Sequence, residues 1–247
     1  MFPIGDDNSD RTITPYVNYL IIALNVIVFV FFQGMSGDNL FTYSYATVPA
    51  EILTGRDIVT DARVMTDPLT GDHFTIPGLG STPIPVYFTL ITSMFMHGGW
   101  LHLGGNMLYL WIFGDNIENA IGHRRYLFFY LLCGIIASLS HVLVTKLLGQ
   151  NLLIPSLGAS GAISGVLGAY ILLFPRRRVT MFFIRFITHV SAFWAIGIWI
   201  VFQIVSGLGM LGGDSTGVAY AAHVGGFIAG LALIKLFLPR TLQAGET

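Results

Sequence analysis

The sequence predicts an all-α, polytopic membrane protein: a bundle of six membrane-spanning helices with a short, central fourth. Three observations carry this reading. Charged residues are only 10% of the 247, and hydrophobic ones are 54%; a soluble domain carries roughly a quarter charged residues. Apolar runs near the length that crosses a bilayer, about 20 residues per helix, recur six times. Three of the runs stop at helix-ending residues, Gly34, Pro175 and Pro239.

The elements follow in order. Residues 1–16 form a polar tail in which Asp6, Asp7 and Asp10 face a single Arg11. That composition lacks the basic n-region of a cleaved signal peptide, so the first apolar run, 17–34, is expected to be retained as span one. Residues 35–100 form a long external connection. Its acidic part, 35–85, ends in Pro77-Gly78-Leu79-Gly80-Ser81-Thr82-Pro83. Long loops are commonly functional, and a substrate-contacting or membrane-interface segment and a plain exposed linker all suit this composition. From Val86 to Met96 it turns semi-apolar, a membrane-associated lead-in to span two at 101–119. Span three covers 125–147. Span four covers 160–174 and is short. Spans five and six cover 183–206 and 220–238, and a tail of residues 239–247 closes the chain. The membrane domain is thus 17–238, without tandem repeats.

Basic residues assign the sides. Arg124 and Arg125 lie between spans two and three, Arg176, Arg177 and Arg178 between four and five, and Arg240 after six. The opposite loops carry Arg56, Arg63 and Lys146 among Asp38, Glu51, Asp57, Asp61, Asp67, Asp72 and Asp214. Lysine and arginine favour the cytoplasmic side, so both termini are expected there, in a prokaryotic-type plasma membrane. No basic cluster of the size nucleic acid requires is present. The single Cys133 precludes an intramolecular disulfide or a cysteine metal cluster and reads as a small buried hydrophobe. No H-E-x-x-H or related metal spacing occurs.

Polar groups at membrane depth are costly and are functional suspects by default. Ser160 opens span four within Leu157-Gly158-Ala159-Ser160-Gly161, and His223 lies in Ala222-His223-Val224-Gly225-Gly226 of span six. A serine hydroxyl is a weak nucleophile until a neighbouring base takes its proton, and histidine is the usual base. Small residues bring helices close in a membrane. Gly158, Gly161, Gly226 and Gly230 therefore read as packing around this pair, with Ser164, Gly165 and Gly168 further along span four. At a helix start the Ser160 N–H lacks an intrahelical acceptor and could help hold an oxyanion. His102 and Asn106, four apart on span two, share one helical face; they suit either oxyanion stabilisation or interhelical hydrogen bonding. No aspartate or glutamate falls inside a span where it could orient His223, so the expectation is a Ser–His dyad. The G-x-S-x-G elbow of soluble hydrolases is not met, because Ala162 occupies its last position. His73, His123, His141 and His189 read as interfacial, and His97 as part of the site's polar surroundings.

At these residues the chain resembles the rhomboid intramembrane serine proteases. The resemblance runs from about Tyr87 to Leu238. It rests on the G-x-S-G at Gly158–Gly161, on Ala222-His223 with its following glycines, on His102-x-x-x-Asn106, and on Phe113-Gly114-Asp115-Asn116-Ile117-Glu118. It implies that Ser160 is the nucleophile and His223 the general base. His102, Asn106 and the Ser160 backbone N–H would stabilise the oxyanion. It implies cleavage of transmembrane-protein substrates near the outer face, through a cavity opened by span five and a loop cap, with no metal or cofactor. Two departures stand out. Some members carry a tyrosine one turn after the nucleophile that stacks on the histidine, and here Ser164 holds that position. Some carry a Trp-Arg pair in the first long loop, and none appears here.

The expected function is therefore an intramembrane serine endopeptidase. The alternative is a catalytically inactive rhomboid-like protein that binds transmembrane helices, although such relatives typically lack the serine or the histidine. A small transporter is disfavoured because coupling carboxylates inside the spans are missing. The sequence sets neither substrate nor oligomeric state.

Overall fold

A computed structural model of the chain describes residues 2–66, 71, 73–183, 185–209 and 220–239. Asp67, Asp72, Asp214 and Arg240, and most of the expected C-terminal tail, lie outside the described residues.

The chain opens with strand β1 (Phe2–Asp6), followed by helix α1 (Tyr16–Ile27) and a π-helical turn at Val28–Phe32. The external connection is folded. It contains α2 (Leu40–Tyr45), α3 (Pro49–Thr54), a hairpin of β2 (Arg63–Thr66) with β3 (His73–Ile76), and α4 (Thr89–Thr92) between 3-10 turns. Asn39 caps α2 by accepting from the Thr42 N–H, and Gly55 ends α3 in the left-handed region. Asp57 accepts from the Ser81 hydroxyl and the Thr82 N–H, 3.0 Å each, which pins the Pro/Gly-rich stretch. The plain-linker reading does not describe this segment.

Helix α5 (Trp100–Tyr109) runs through a π turn (Leu110–Gly114) into α6 (Asp115–Ile121). Helix α7 (His123–Leu147) follows, then α8 (Ser160–Leu173), strands β4 (Arg178–Phe183) and β5 (Phe186–Ser191), α9 (Ala192–Gly209) and α10 (Tyr220–Phe237). Of the described helices, α7 and α10 are by themselves long and apolar enough to cross a membrane; Tyr16–Phe32, Val86–Phe95, Ser160–Leu173 and Ala192–Leu208 are shorter apolar helices.

The chain is mostly helical, as expected, and short strands add to the bundle. β1, β4 and β5 form one antiparallel sheet in the order β1–β4–β5. Residues 186–191 were expected to belong to span five; they pair as β5, and the helix begins only at Ala192. The apolar residues Phe182, Phe183, Phe186 and Ile187 continue the hydrophobic run of the helix, but their backbone hydrogen bonds go across the hairpin.

The molecule is apolar outside. Leu20, Phe31, Phe128, Leu143, Phe202, Val205 and Leu236 are all exposed on helices, the reverse of what a water-soluble surface requires. Helix α8 is the centre, buried continuously from Gly161 to Tyr170 and packed between α7 and α10. Polar side chains turn inward and bond one another. Asn18 donates to the Leu110 carbonyl at 2.9 Å and accepts from the Tyr126 hydroxyl at 2.7 Å, tying α1 to the π turn and α7.

One end of the bundle carries a polar network. Glu118, fully buried, accepts from the Val17 and Asn18 N–H groups at 3.0 and 2.7 Å. Helix α1 has no side-chain cap of its own, so this carboxylate satisfies two of its orphan donors. Asp115 pairs with Arg11 at 2.9 Å. Asp6 accepts from Asn116 at 2.7 Å and from the Tyr170 hydroxyl at 2.5 Å, and Arg177 bridges Asn116 to Asp10. The Phe113–Glu118 stretch thus acts as the clamp that seats the N-terminal segment.

Candidate functional site

Ser160 is the first residue of α8. The chain reaches it through Gly158, whose φ of +124° is disfavoured for any side-chain-bearing residue. The Gly158 N–H donates to the Ser93 carbonyl at 2.9 Å, and the Ser93 hydroxyl is bonded to Thr47 at 2.9 Å. The folded external segment therefore helps hold the turn before the serine. Ser164 donates to the Ser160 carbonyl at 2.6 Å, so the residue standing in the tyrosine position of some relatives is spent on the helix itself.

His223 arrives on α10 because glycines let the two helices touch. A Cβ built on Gly226 would lie 2.1 Å from the Gly161 carbonyl oxygen, and one on Gly230 would lie 1.9 Å from that of Gly165. Only glycine fits either place. The result is a distance of 2.8 Å between His223 Nε2 and Ser160 Oγ. The other ring nitrogen, Nδ1, lies 2.6 Å from Gln203 Oε1 on α9. Gln203 was not among the expected site residues. Like Asn106 it is a lone amide in an apolar run, and an amide oxygen can accept from an imidazole N–H as a carboxylate does.

His102 and Asn106 lie on α5 as the spacing expects. The Gly98 N–H donates to His102 Nδ1 at 3.2 Å, so the hydrogen of a neutral ring sits on Nε2. That nitrogen is 2.9 Å from the point where a Gly158 Cβ would stand, and Ser160 Oγ is 3.6 Å from the same point. Asn106 is buried, and its Nδ2 has no hydrogen-bond partner among the described residues. His97 is fully buried with its ring edge-on to His102 at 5.1 Å, and its backbone N–H and carbonyl are both held by the Gln33 side chain. His73, His123 and His189 pair locally with Thr66, Glu118 and Thr180. A crevice beside the serine is lined by Ser93, Ser138, Ser156, Gly158 and Ala222.

Chemically, the arrangement couples a hydroxyl to a base, with an N–H-bearing imidazole beside them and an unspent amide one helical turn further along α5. These are the components of acyl transfer through an oxyanion.

Comparison with known proteins gives a consistent answer. The family pattern described as the Rhomboid domain matches residues 85–240, more than half of the chain. The chain is 34% identical over 150 residues to Rhomboid protein 1, mitochondrial, of Saccharomyces cerevisiae, covering 58% of this chain and 40% of that protein. It is 34% identical over 163 residues to Rhomboid protease GluP of Bacillus subtilis, covering 65% of this chain and 28% of that one. Rhomboid-like protein 11, chloroplastic, of Arabidopsis thaliana is 34% identical over 106 residues, which cover 41% of this chain and 36% of the relative. The matches thus span well under half the length of these relatives.

Proposed function

The chain belongs to the rhomboid family of polytopic helical membrane proteins, and from that premise we propose that it is an intramembrane serine endopeptidase acting through Ser160 and His223. The observation that carries the reading is the 2.8 Å contact between Ser160 Oγ and His223 Nε2. In the reaction, Oγ attacks the substrate carbonyl as its proton passes to Nε2, and the oxyanion is held by His102 Nε2–H, Asn106 Nδ2–H and the Ser160 N–H. His223 then returns the proton to the leaving amine. A water attacks the acyl-serine with His223 again as base, and the polar crevice beside Ser160 is suited to supply it. The substrates are transmembrane-protein segments presented within the bilayer.

Six spans, with both termini cytoplasmic in a prokaryotic-type plasma membrane, fit the gathering of Arg124, Arg125, Arg176, Arg177 and Arg178 at one end of the bundle. Helix α8 has 14 residues, hence a length of about 21 Å against a hydrocarbon core of about 30 Å. With its C-terminus at the arginine-bearing face, its N-terminal serine lies below the opposite surface, at a depth water reaches only through the protein.

The test is cleavage of a reporter transmembrane substrate in proteoliposomes by the wild type, Ser160→Ala and His223→Ala. Both variants are expected to insert normally and to lose cleavage by at least about 10³-fold. Cleavage at the wild-type rate by Ser160→Ala overturns the assignment.

A further inference from the structure

A histidine acting as base must offer its serine a nitrogen without hydrogen, and a neutral imidazole has two tautomers to choose between. Gln203 makes that choice here. A carboxamide oxygen only accepts, so the 2.6 Å bond from His223 Nδ1 to Gln203 Oε1 exists only when Nδ1 carries the hydrogen. Nε2 then bears the lone pair, and Nε2 is the nitrogen 2.8 Å from Ser160 Oγ. We propose that Gln203 is the positioning residue of this site: it holds His223 in the Nδ1–H tautomer, aims Nε2 at Ser160, and makes the competence of the pair depend on the seating of α9. The inference rests on the Ser160–His223 reading above and deepens it.

Among the described residues, the hydrogen-bond partner of His223 Nδ1 is Gln203. The hydroxyl of Ser164 is taken up by the Ser160 carbonyl. Trp199 and Tyr220 flank the imidazole with ring centroids 6.1 and 6.4 Å away, tilted or edge-on and so not stacked upon it. The titratable groups facing His223 are His102, His141 and Tyr220; among the described residues no carboxylate joins them. Gln203 is 7% exposed, whereas Val201, Phe202, Ile204, Val205 and Leu208 around it are 44–61% exposed. Burying an amide in an apolar segment is costly unless it is bonded, and the residue it bonds is the proposed base. Near its start α9 is anchored by Ala192, Ala195 and Ile196; in its second half, among the described residues, the buried one is Gln203. A displacement of that half by the length of one hydrogen bond frees the imidazole.

The proton balance is simple. Transfer from Oγ to Nε2 leaves hydrogens on both ring nitrogens, the Gln203 bond persists throughout, and the Nε2 proton leaves with the amine product. Being neutral, Gln203 orients the ring without stabilising the imidazolium by charge.

The experiment uses the full chain in proteoliposomes with the reporter substrate, comparing wild type, Gln203→Met, Gln203→Glu and, in parallel, Ser160→Ala. Methionine keeps the volume and removes the acceptor; kcat is expected to fall about 10- to 100-fold, with KM within about twofold. Glutamate keeps the acceptor and adds charge; turnover is expected within about tenfold of wild type, with the acid limb of the pH–rate profile moved to higher pH. Equal impairment of both variants with an unmoved pH limb marks a purely structural residue and overturns the proposal. So does wild-type kcat in Gln203→Met. Should Gln203→Met fail to fold, the limb of Gln203→Glu decides alone. Loss of cleavage in Ser160→Ala with an unaffected Gln203→Met removes only the orienting role, whereas retained cleavage in Ser160→Ala removes the reading beneath it.

Discussion

Gly158 shows how tightly single residues constrain the proposed chemistry. Its positive φ disfavours any side chain, and a Cβ there would intrude 2.9 Å from His102 Nε2 and 3.6 Å from Ser160 Oγ. That is space an oxyanion would share with both groups. Gly158→Ala is expected to lose about 1–2 kcal/mol of stability to backbone strain and about 10²-fold in turnover, the scale of one lost oxyanion donor. Gly104→Ala, inside helix α5 where a Cβ would meet nothing within 4 Å, is the control: turnover is expected to be unchanged and stability to rise by about 0.5–1 kcal/mol at most. Thermal denaturation and reporter cleavage read the two effects, and wild-type turnover in Gly158→Ala would show that this space is not used. At this scale the candidates Ser160, His223, His102 and Asn106 stand out in the sequence, because a polar group is conspicuous in an apolar run. Gln203 stood out equally, but which residue faces a histidine depends on the rotation of another helix, and no local pattern encodes that.

Among the elements, the contact between α8 and α10 decides whether the site exists. Gly226 and Gly230 meet backbone carbonyls of α8, which cannot rotate away as a side chain would. Gly230→Leu should therefore force the helices apart, costing about 1–3 kcal/mol by overpacking and lengthening the Ser160–His223 bond beyond use. Both a lowered Tm and lost cleavage are expected; an unchanged Tm would mean that the helices have room the structure does not show. The small-residue spacing announced this contact in advance. The start of α9 was not announced, because hydrophobicity does not distinguish the paired residues of β5 from the helix they precede. The folding of the 35–85 segment was likewise hidden, since its hydrogen bonds run between residues far apart, such as Asp57 with Ser81 and Thr82.

For the whole molecule, the inverted distribution of polarity sets how it responds to pH. The N-terminal segment is clamped at the arginine-bearing end, where burial pushes the Asp6 carboxyl up to about 7, with Asp115 and Asp7 adding to the rise and Tyr170 and Arg177 opposing it. A carboxyl that holds its proton more tightly when folded makes the folded state bind more protons than the unfolded one, so stability falls as pH rises. The fall should run from about pH 4, where the unfolded carboxyl ionises, to about 7, where the folded one does. Thermal denaturation or proteolysis of the N-terminal segment between pH 5 and 8 should show weaker docking at the higher pH, and Asp6→Asn should flatten the trend. An identical slope in that variant would place the effect elsewhere. Composition and apolar run length by themselves determined that this chain belongs in a bilayer, roughly where its helices lie, and which polar residues are out of place there, because transfer free energy acts on each segment independently of the rest. Only the tertiary structure decided which ring nitrogen of His223 faces Ser160 and at what distance, that Glu118 caps a helix 100 residues away, and that an amide on α9 fills the place next to the histidine. Those outcomes depend on how helices rotate and approach one another, and that is settled by packing between segments distant in sequence.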